Sequence, residues 1–427
     1  MAVKKNFSFV LLEKLYTFLI GIYLISIIPN YLGTDLYGIY SYCIALVLLS
    51  LSVAKLGLNQ FIVHLLVKYP KNIFNIVINT FILKFSLGLL VGLFVYLFLS
   101  YKILSYSVGV VSITLVLYSF EVFEFWIQSL KKNYIASILN IVTITIVLLL
   151  TLLSISLKLD INYFLIIYSL SLTLKYVLIF IYFYISNKNI KIKISKVKLK
   201  FILNRVKPLF MASIFTASFM QIDQIMIEMI LGIDKVGVYS IAVNINNYLF
   251  IIPVTFFMII LPYLSTYNKK YSVEVFDRIF IVTTSVLFYV LILISIILYI
   301  QSDNVFELLL SEEFYKSIPT YQVLIVALPL VGVNLALYNY FVLINRNDVN
   351  MKSTFWGLIL NISFNFIFLK YYGVIGAAYA SILSYFIMVF IFYSFIFFKS
   401  KNIIFILLPF SKFVKFAKTA QLIKKDI

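Results

Sequence analysis

Apolar runs about as long as a membrane is thick dominate this sequence and restrict its fold more than any other feature. A helix needs about 20 residues to cross a hydrocarbon core of about 30 Å. The runs are continuous rather than alternating, which favours helices over the strands of a barrel. Twelve such runs are found, at residues 7–29, 39–62, 74–100, 105–130, 135–157, 162–185, 208–232, 238–265, 278–301, 318–343, 353–370 and 373–399.

The composition supports a membrane protein, since 63% of the residues are hydrophobic, 12% are charged and the mean hydropathy is +1.07. A soluble globular chain carries about 25% charge. The first run has no small-residue cleavage site, so we expect a retained helix rather than a signal peptide. The single Cys43 and single His64 exclude a disulfide within the chain and a metal site built on cysteine or histidine pairs, and no cofactor is expected. We therefore predict an all-α integral membrane protein.

The basic residues indicate the orientation of these helices. With the N-terminus in the cytoplasm, most of the 35 Lys and Arg residues fall on the cytoplasmic side, including eight between Lys188 and Lys207. Such asymmetry follows the positive-inside rule and predicts that both termini are cytoplasmic. The net charge of +19 is explained by this topology and by anionic lipids of the inner leaflet, so we expect no nucleic-acid partner.

One short connector occurs twice. "YLGTDLYGIYSY" begins at Tyr31 and "ILGIDKVGVYSI" begins at Ile230, and each copy lies between two apolar runs on the predicted outer side. Glycine can end a helix in a left-handed turn, and aspartate can cap the next helix, so we expect a structural role for these turns. The turn residues are Gly33, Asp35 and Gly38 in the first copy and Gly232, Asp234 and Gly237 in the second.

The repeat predicts two parallel six-helix bundles, related by an axis along the membrane normal. The first bundle comprises residues 1–185 and the second comprises residues 208–399. A basic cytoplasmic linker, 186–207, joins them, and a basic amphipathic tail, 400–427, follows the second bundle.

The chain resembles the polysaccharide flippases of the multidrug/oligosaccharidyl-lipid/polysaccharide exporter superfamily, in particular the O-antigen and capsule repeat-unit translocases. The resemblance covers nearly the whole chain and rests on the order and spacing of several phrases. These are "LLEKLYTFLIGIYLISIIPNYLGTDLYGIYSY" from Leu11, "LGLN" from Leu56, "QIDQIMIEMILGIDKVGVYSIA" from Gln221 and "YYGVIGAAYASILSY" from Tyr371.

The resemblance implies two six-helix bundles around a central cavity that opens alternately to either side of the bacterial cytoplasmic membrane. It implies an oligosaccharide linked to undecaprenyl diphosphate, which moves from the inner to the outer leaflet for synthesis of a cell-surface polysaccharide such as lipopolysaccharide. An acidic residue recurs in the seventh helix of such proteins, and Asp223 matches its position in "QIDQIM".

Charged residues inside the helices are the candidate site, because each costs at least about 2.5–3.5 kcal/mol at the membrane centre. Lys175 lies near the middle of its helix, where it is predicted to contact the diphosphate. Lys14, Lys55 and Lys84 lie nearer the inner surface, where they are predicted either to capture the diphosphate or to extend to the lipid headgroups. Lysine binds phosphate as a point charge, without the planar fork of arginine, so it suits a site that must release its cargo.

Four acids are candidates for coupling to H⁺ or Na⁺ or for lining the cavity: Asp223, Glu228, Glu121 and Glu124. Asp223 could pair with Lys175 when no cargo is bound. Glu121 and Glu124 lie three residues apart, so they either share a proton or form structural salt bridges with Lys14 or Lys55. Tyr118, Tyr176, Tyr248 and Tyr340 lie within the predicted spans and are candidates to stack on sugars if they line the cavity. The GxxxG pair Gly88 and Gly92 predicts close helix packing.

Two alternatives remain from the sequence. A cation-coupled multidrug exporter of the same superfamily would not require a cationic cavity. A polytopic polymerase or glycosyltransferase would need a catalytic loop outside the membrane, but the longest outer connector, 301–317, contains no Arg or His. The prediction is therefore a transporter rather than an enzyme.

Overall fold

The structure, a computed structural model, describes residues 2–55, 57–69, 72–99, 105–187 and 196–397. Every regular element within these ranges is helical, as the long apolar runs predict. The helices are α1 Ala2–Lys55, α2 Asn59–Lys68, α3 Ile73–Leu99, α4 Ser105–Leu117, α5 Val122–Ser129, α6 Asn133–Ser156, α7 Ile161–Ser186, α8 Lys196–Leu231, α9 Ile233–Leu249, α10 Ile251–Lys270, α11 Val273–Ile300, α12 Ser302–Leu309, α13 Ile318–Leu343, α14 Asn347–Tyr372 and α15 Val374–Ile387. A 3₁₀ turn at Glu312–Ser317 precedes α13, and a π-helix at Met388–Phe397 follows α15.

The described residues contain eleven segments long and apolar enough to span a membrane, and the first of these is double. It runs from Ser8 to Lys55, and its 48 residues would extend about 72 Å as one straight helix. Gly33 interrupts it with φ 72° and ψ 172°, a conformation that is essentially restricted to glycine. The segment therefore provides two crossings, which brings the spans within the described residues to twelve. The chain is an all-α, multi-pass membrane protein.

Several predicted helix boundaries are wrong because hydropathy reports composition and not backbone breaks. The predicted second helix, 39–62, ends at Lys55, where Gly57 turns the chain with φ 60° and α2 begins at Asn59. The predicted helix 105–130 is divided into α4, a 3₁₀ turn at Tyr118–Glu121 and α5. The predicted helix 238–265 is divided at Phe250 into α9 and α10.

The chain divides into two compact units, Met1–Ile225 (unit 1) and Met226–Ile427 (unit 2), with the boundary inside α8. Because α8 begins at Lys196, the second part of the predicted linker 186–207 is helical and continuous with the seventh span. Residues 188–195 of that linker and the predicted tail 400–427 lie outside the described residues.

Aromatic rings from α3, the Tyr118–Glu121 turn, α5 and α7 form much of the core of unit 1. Phe123 is 1% exposed, and its ring centroid lies 4.8 Å from that of Phe180 and 4.9 Å from that of Phe183. Rings are stiff and bury a large apolar area, so this cluster fixes α5 against α7.

Helices α3 and α4 pack backbone against backbone, which confirms the prediction from the GxxxG pair. A Cβ atom added to Gly88 would lie 2.7 Å from the carbonyl oxygen of Leu115, and one added to Gly92 would lie 2.9 Å from that of Ser112. Only glycine permits this approach. The packing holds Lys84, one turn before Gly88, beside the residues that follow α4.

Unit 2 is organised around α13, which carries buried residues from Thr320 to Phe341. Its interior includes neutral polar groups, among them Asn361 and Asn365, which hydrogen-bond to each other over 3.0 Å. The Tyr340 hydroxyl donates a hydrogen bond of 2.7 Å to the carboxylate of Asp277. These contacts involve amides, a hydroxyl and one carboxylate, whereas the interior of unit 1 contains lysine–glutamate pairs, described next.

Candidate functional site

Charged side chains from four segments of unit 1 meet inside the membrane-spanning region, and we call this group the charge cluster. Lys84 lies roughly 16 Å along α3 from its first residue, Ile73, and Lys175 lies roughly 16 Å along α7 from its last residue, Ser186. Both positions are near the middle of a hydrocarbon core about 30 Å thick. The cluster consists of Lys55 at the end of α1, Lys84 on α3, Glu121 and Glu124 around the start of α5, and Lys175 on α7.

The 3₁₀ turn at Tyr118–Glu121 places the two carboxylates. A 3₁₀ segment inside a longer helix is tighter than the α-helix around it and often marks a functional position. Glu121 ends the turn and Glu124 lies in the first turn of α5, where the positive end of the helix dipole favours carboxylates. The two acids face different lysines, whereas the sequence suggested that they share a proton or pair with Lys14 or Lys55.

Glu121 forms a fully buried ion pair with Lys84. The carboxylate lies 2.5 Å from the Lys84 ammonium group, and the two side chains are only 5% and 1% exposed. The Tyr118 hydroxyl donates a further hydrogen bond of 3.4 Å to Glu121, and the Lys84 ammonium lies 5.2 Å from the centre of the Phe125 ring. Both charges are desolvated, so separating them would leave two unpaired buried charges at a high free-energy cost. The Lys84–Glu121 pair is therefore a fixed element of the fold.

Glu124 forms a second ion pair, with Lys175, that reaches the molecular surface. The ammonium and carboxylate are 2.9 Å apart, and the side chains are 18% and 16% exposed. The carboxylate that contacts Lys175 is thus Glu124 rather than Asp223. Partial access to the surface lowers the desolvation cost of separating the two charges, so this pair can exchange partners more readily than the buried one.

Two tyrosines lie between the lysines of the cluster. The Tyr118 and Tyr176 rings meet edge to face with centroids 5.1 Å apart, and their hydroxyls are 3.3 Å apart. The Lys55 ammonium lies 4.6 Å from the centre of the Tyr118 ring, and the Lys175 ammonium lies 4.6 Å from that of Tyr176. Each lysine is therefore held over an aromatic face in a cation–π contact.

Lys55 gives the charge cluster its positive excess. Within the part of the chain that the structure describes, Lys55 forms no ion pair, although it lies in electrostatic range of Glu121 and Lys84. Three lysines thus face two glutamates, which leaves one positive charge in excess. This interior can accept an anion.

Three further predicted site residues, Lys14, Asp223 and Glu228, lie on α1 and α8. Lys14 is 48% exposed and lies 3.5 Å from its neighbour Glu13, whose carboxylate accepts a hydrogen bond of 2.5 Å from Asn140. Lys14 therefore pairs with its own neighbour on α1 rather than with a carboxylate of the charge cluster. Asp223, which is 6% exposed, and the half-buried Glu228 both lie on α8.

The repeated connectors adopt the same backbone conformation. Gly33 has φ 72° and ψ 172°, and Gly232 has φ 98° and ψ 165°, so both require glycine. Gly38 and Gly237 are buried inside the helices that follow. Asp35 is exposed, and Asp234 lies in the first turn of α9, where its carboxylate is 3.0 Å from the Lys235 ammonium. The residue at the cap position of α9 is Gly232 itself, which has no side chain to cap the helix.

Sequence reasoning missed which side chains would meet, although it identified most of the residues. The Tyr118–Tyr176 pair and the Glu13–Asn140 contact join helices far apart in sequence. Spacing within one helix reports a shared face but not the neighbour against which that face packs. The nearest signal is that Tyr176 directly follows Lys175, and that Tyr118 precedes Glu121 by three residues.

Comparison with a family model for polysaccharide biosynthesis proteins gives a match over residues 3–268, which includes every residue of the charge cluster. The chain belongs to this family. A search of curated proteins gave no match.

Solved structures show that this family member shares the fold of known membrane transporters. The lipid II flippase MurJ, in an inward closed conformation, has a TM-score of 0.68 at 14% identity, with 96% of this chain and 90% of that chain covered. A multidrug resistance MATE family transporter of the MOP superfamily, inward-facing, has a TM-score of 0.61 at 14% identity, with 96% of each chain covered. The Vibrio cholerae MATE transporter VcmN has a TM-score of 0.56 at 12% identity, with 94% and 95% covered.

Proposed function

We propose that this protein is a flippase that moves an oligosaccharide linked to undecaprenyl diphosphate from the inner to the outer leaflet of the bacterial cytoplasmic membrane. Membership of the polysaccharide biosynthesis family supports a glycan cargo. The fold is similar to that of MurJ, a flippase of lipid II, which supports a lipid-linked cargo here. The product would be a surface polysaccharide such as O-antigen or capsule, and the protein would be a transporter rather than an enzyme.

The positive excess of the charge cluster carries this proposal. A diphosphate is a multiply charged anion whose transfer into hydrocarbon is prohibitive unless the protein replaces its hydration. Lys55 and Lys175 lie over adjacent aromatic rings at membrane depth, and Lys175 is partly accessible. Ammonium groups attract phosphate without the bidentate geometry that would make release slow.

The transport cycle that we propose uses two six-helix bundles, residues 1–185 and 208–399, with both termini in the cytoplasm and a substrate site that opens alternately to either side of the membrane. The repeated glycine turns support corresponding roles in the two bundles. Asp223 and Glu228 are the acids outside the charge cluster that would couple the cycle to H⁺ or Na⁺. The basic linker and tail would lie on anionic lipid.

A flipping assay tests the proposal. Purified protein in proteoliposomes should move a fluorescent undecaprenyl-diphosphate oligosaccharide, measured as label that becomes accessible to a membrane-impermeant quencher. Lys175→Ala should reduce the rate at least about tenfold, because removing one charged hydrogen bond to an ion costs about 1.5–3 kcal/mol. Lys132→Ala, which changes an exposed lysine outside the cluster, should flip at the wild-type rate.

Three results would count against the proposal. Normal flipping by well-folded Lys175→Ala would remove the cationic mechanism. Equal loss in the Lys132→Ala control would show that surface charge, rather than the cluster, supports transport. Absence of flipping by the wild-type protein, together with movement of a cationic drug in the same vesicles, would favour a multidrug exporter.

A further inference from the structure

Glu121 and Glu124 carry the same chemistry three residues apart, but the structure gives them different neighbours. Glu121 is buried with Lys84, whereas Glu124 and Lys175 form a pair that reaches the surface. Glu121 also accepts a hydrogen bond from Tyr118. One carboxylate is thus enclosed, and the other is accessible to an incoming anion.

We propose that Glu124 is an internal competitor for the cargo: it neutralises Lys175 while the site is empty, and the diphosphate of the lipid displaces it. This inference rests on the proposed function and assigns a role within the same site. Glu124 is a positioning and affinity-setting residue, since it acts through Lys175 and need not contact the cargo.

Accessibility determines which glutamate can be displaced. A diphosphate oxygen can approach Lys175, which is 18% exposed, but not Lys84, which is 1% exposed. Once displaced, the Glu124 carboxylate can turn towards the surface, because its side chain is already 16% exposed. The buried Lys84–Glu121 pair keeps its geometry and holds the turn from which α5 begins.

The displaced state matches the charge of the cargo better than the resting state does. With Glu124 turned away, Lys175 and Lys55 face the diphosphate with two positive charges, and Tyr118 and Tyr176 keep the ammonium groups over their rings. When the lipid leaves, Glu124 returns to Lys175, 2.9 Å away. The competitor therefore weakens binding and speeds release, which a carrier requires.

Equilibrium binding by variants tests this inference separately from flipping. Binding of geranyl diphosphate, a short soluble prenyl diphosphate, is measured on the full-length protein in detergent. Glu124→Gln keeps the size of the side chain but removes the competing charge. Its Kd should fall about fivefold, since a partly exposed ion pair contributes on the order of 1 kcal/mol. Its flipping turnover should fall as release slows.

Two further variants show whether Glu124 acts through Lys175. Lys175→Ala should raise the Kd at least about tenfold. The double variant with Glu124→Gln and Lys175→Ala should bind no more tightly than Lys175→Ala alone. Glu121→Gln is the matched control, because its pair is enclosed; it should lower the melting temperature without tightening binding.

Each outcome has a defined meaning. Unchanged or weaker binding by Glu124→Gln overturns the inference, as does the absence of geranyl diphosphate binding by the wild type. Tighter binding of the double variant relative to Lys175→Ala also overturns it. If the wild type flips lipid but Glu124→Gln does not bind more tightly, the inference fails and the proposed function stands. If Glu124→Gln binds more tightly but no variant flips lipid, the proposed function fails and the competitor role stands.

Discussion

The buried ion pair of Lys84 and Glu121 provides the most stringent prediction about stability. Glu121→Gln removes the negative charge and leaves the Lys84 ammonium 1% exposed, so water cannot replace the lost partner. Breaking a buried pair from one side costs about 3–5 kcal/mol. Two interactions still stabilise the Lys84 ammonium: it can donate one hydrogen bond to the glutamine oxygen, and it lies 5.2 Å from the centre of the Phe125 ring. We therefore expect a loss near the lower limit, about 3 kcal/mol.

Replacing both partners should restore most of this loss. The double variant with Lys84→Met and Glu121→Met buries no unpaired charge, and methionine adapts to irregular space. Its stability should lie within about 1 kcal/mol of the wild type, since hydrophobic replacement of a buried pair is often neutral or stabilising. Glu124→Gln, at the more exposed pair, should cost less than about 1 kcal/mol.

The free energy of unfolding can be measured by SDS titration in mixed micelles. In a Trp356→Phe background, the fluorescence of Trp126 reports unfolding of unit 1, because Trp126 is 5% exposed and its ring centroid lies 4.9 Å from that of Phe183. The reasoning from burial is refuted if Glu121→Gln and Glu124→Gln lose equal stability. It is also refuted if the double methionine variant is as unstable as Glu121→Gln.

Glycine substitutions give the remaining predictions. Gly88→Ala should lower the free energy of unfolding by about 1–3 kcal/mol, because the new Cβ would lie 2.7 Å from the Leu115 carbonyl oxygen. Gly109→Ala is the control, because no atom lies within 4 Å of the new Cβ; the free energy of unfolding should stay equal or rise by up to about 1 kcal/mol. Equal effects of Gly88→Ala and Gly109→Ala would contradict close packing of α3 on α4. Gly33→Ala and Gly232→Ala should each cost about 1–3 kcal/mol in the same titration, and an unchanged value at either would show that its turn does not require positive φ.

The bilayer makes much of this fold predictable from sequence. Backbone polar groups inside hydrocarbon must be paired within the chain, so long apolar runs become helices. The connector repeat was visible as two matching phrases, and its glycines, Gly33 and Gly232, occupy a backbone conformation that other residues avoid. Helix ends were less predictable, because Gly57 and the turn at Tyr118–Glu121 interrupt sequences that remain apolar on both sides.

The sequence by itself therefore determined that the chain crosses a membrane many times and that several charges lie inside it. It also gave the position of each charge along its own helix, since rise per residue is constant. Tertiary structure alone decided the pairing: Glu121 with Lys84, and Glu124 with Lys175. The reason is that a membrane helix is apolar on nearly every face, so its sequence carries little information about which face meets which neighbour. Tertiary packing also decided the environment of Lys55: the packing of α1 places its ammonium over the Tyr118 ring and not in an ion pair with a described residue, which leaves the positive excess of the charge cluster.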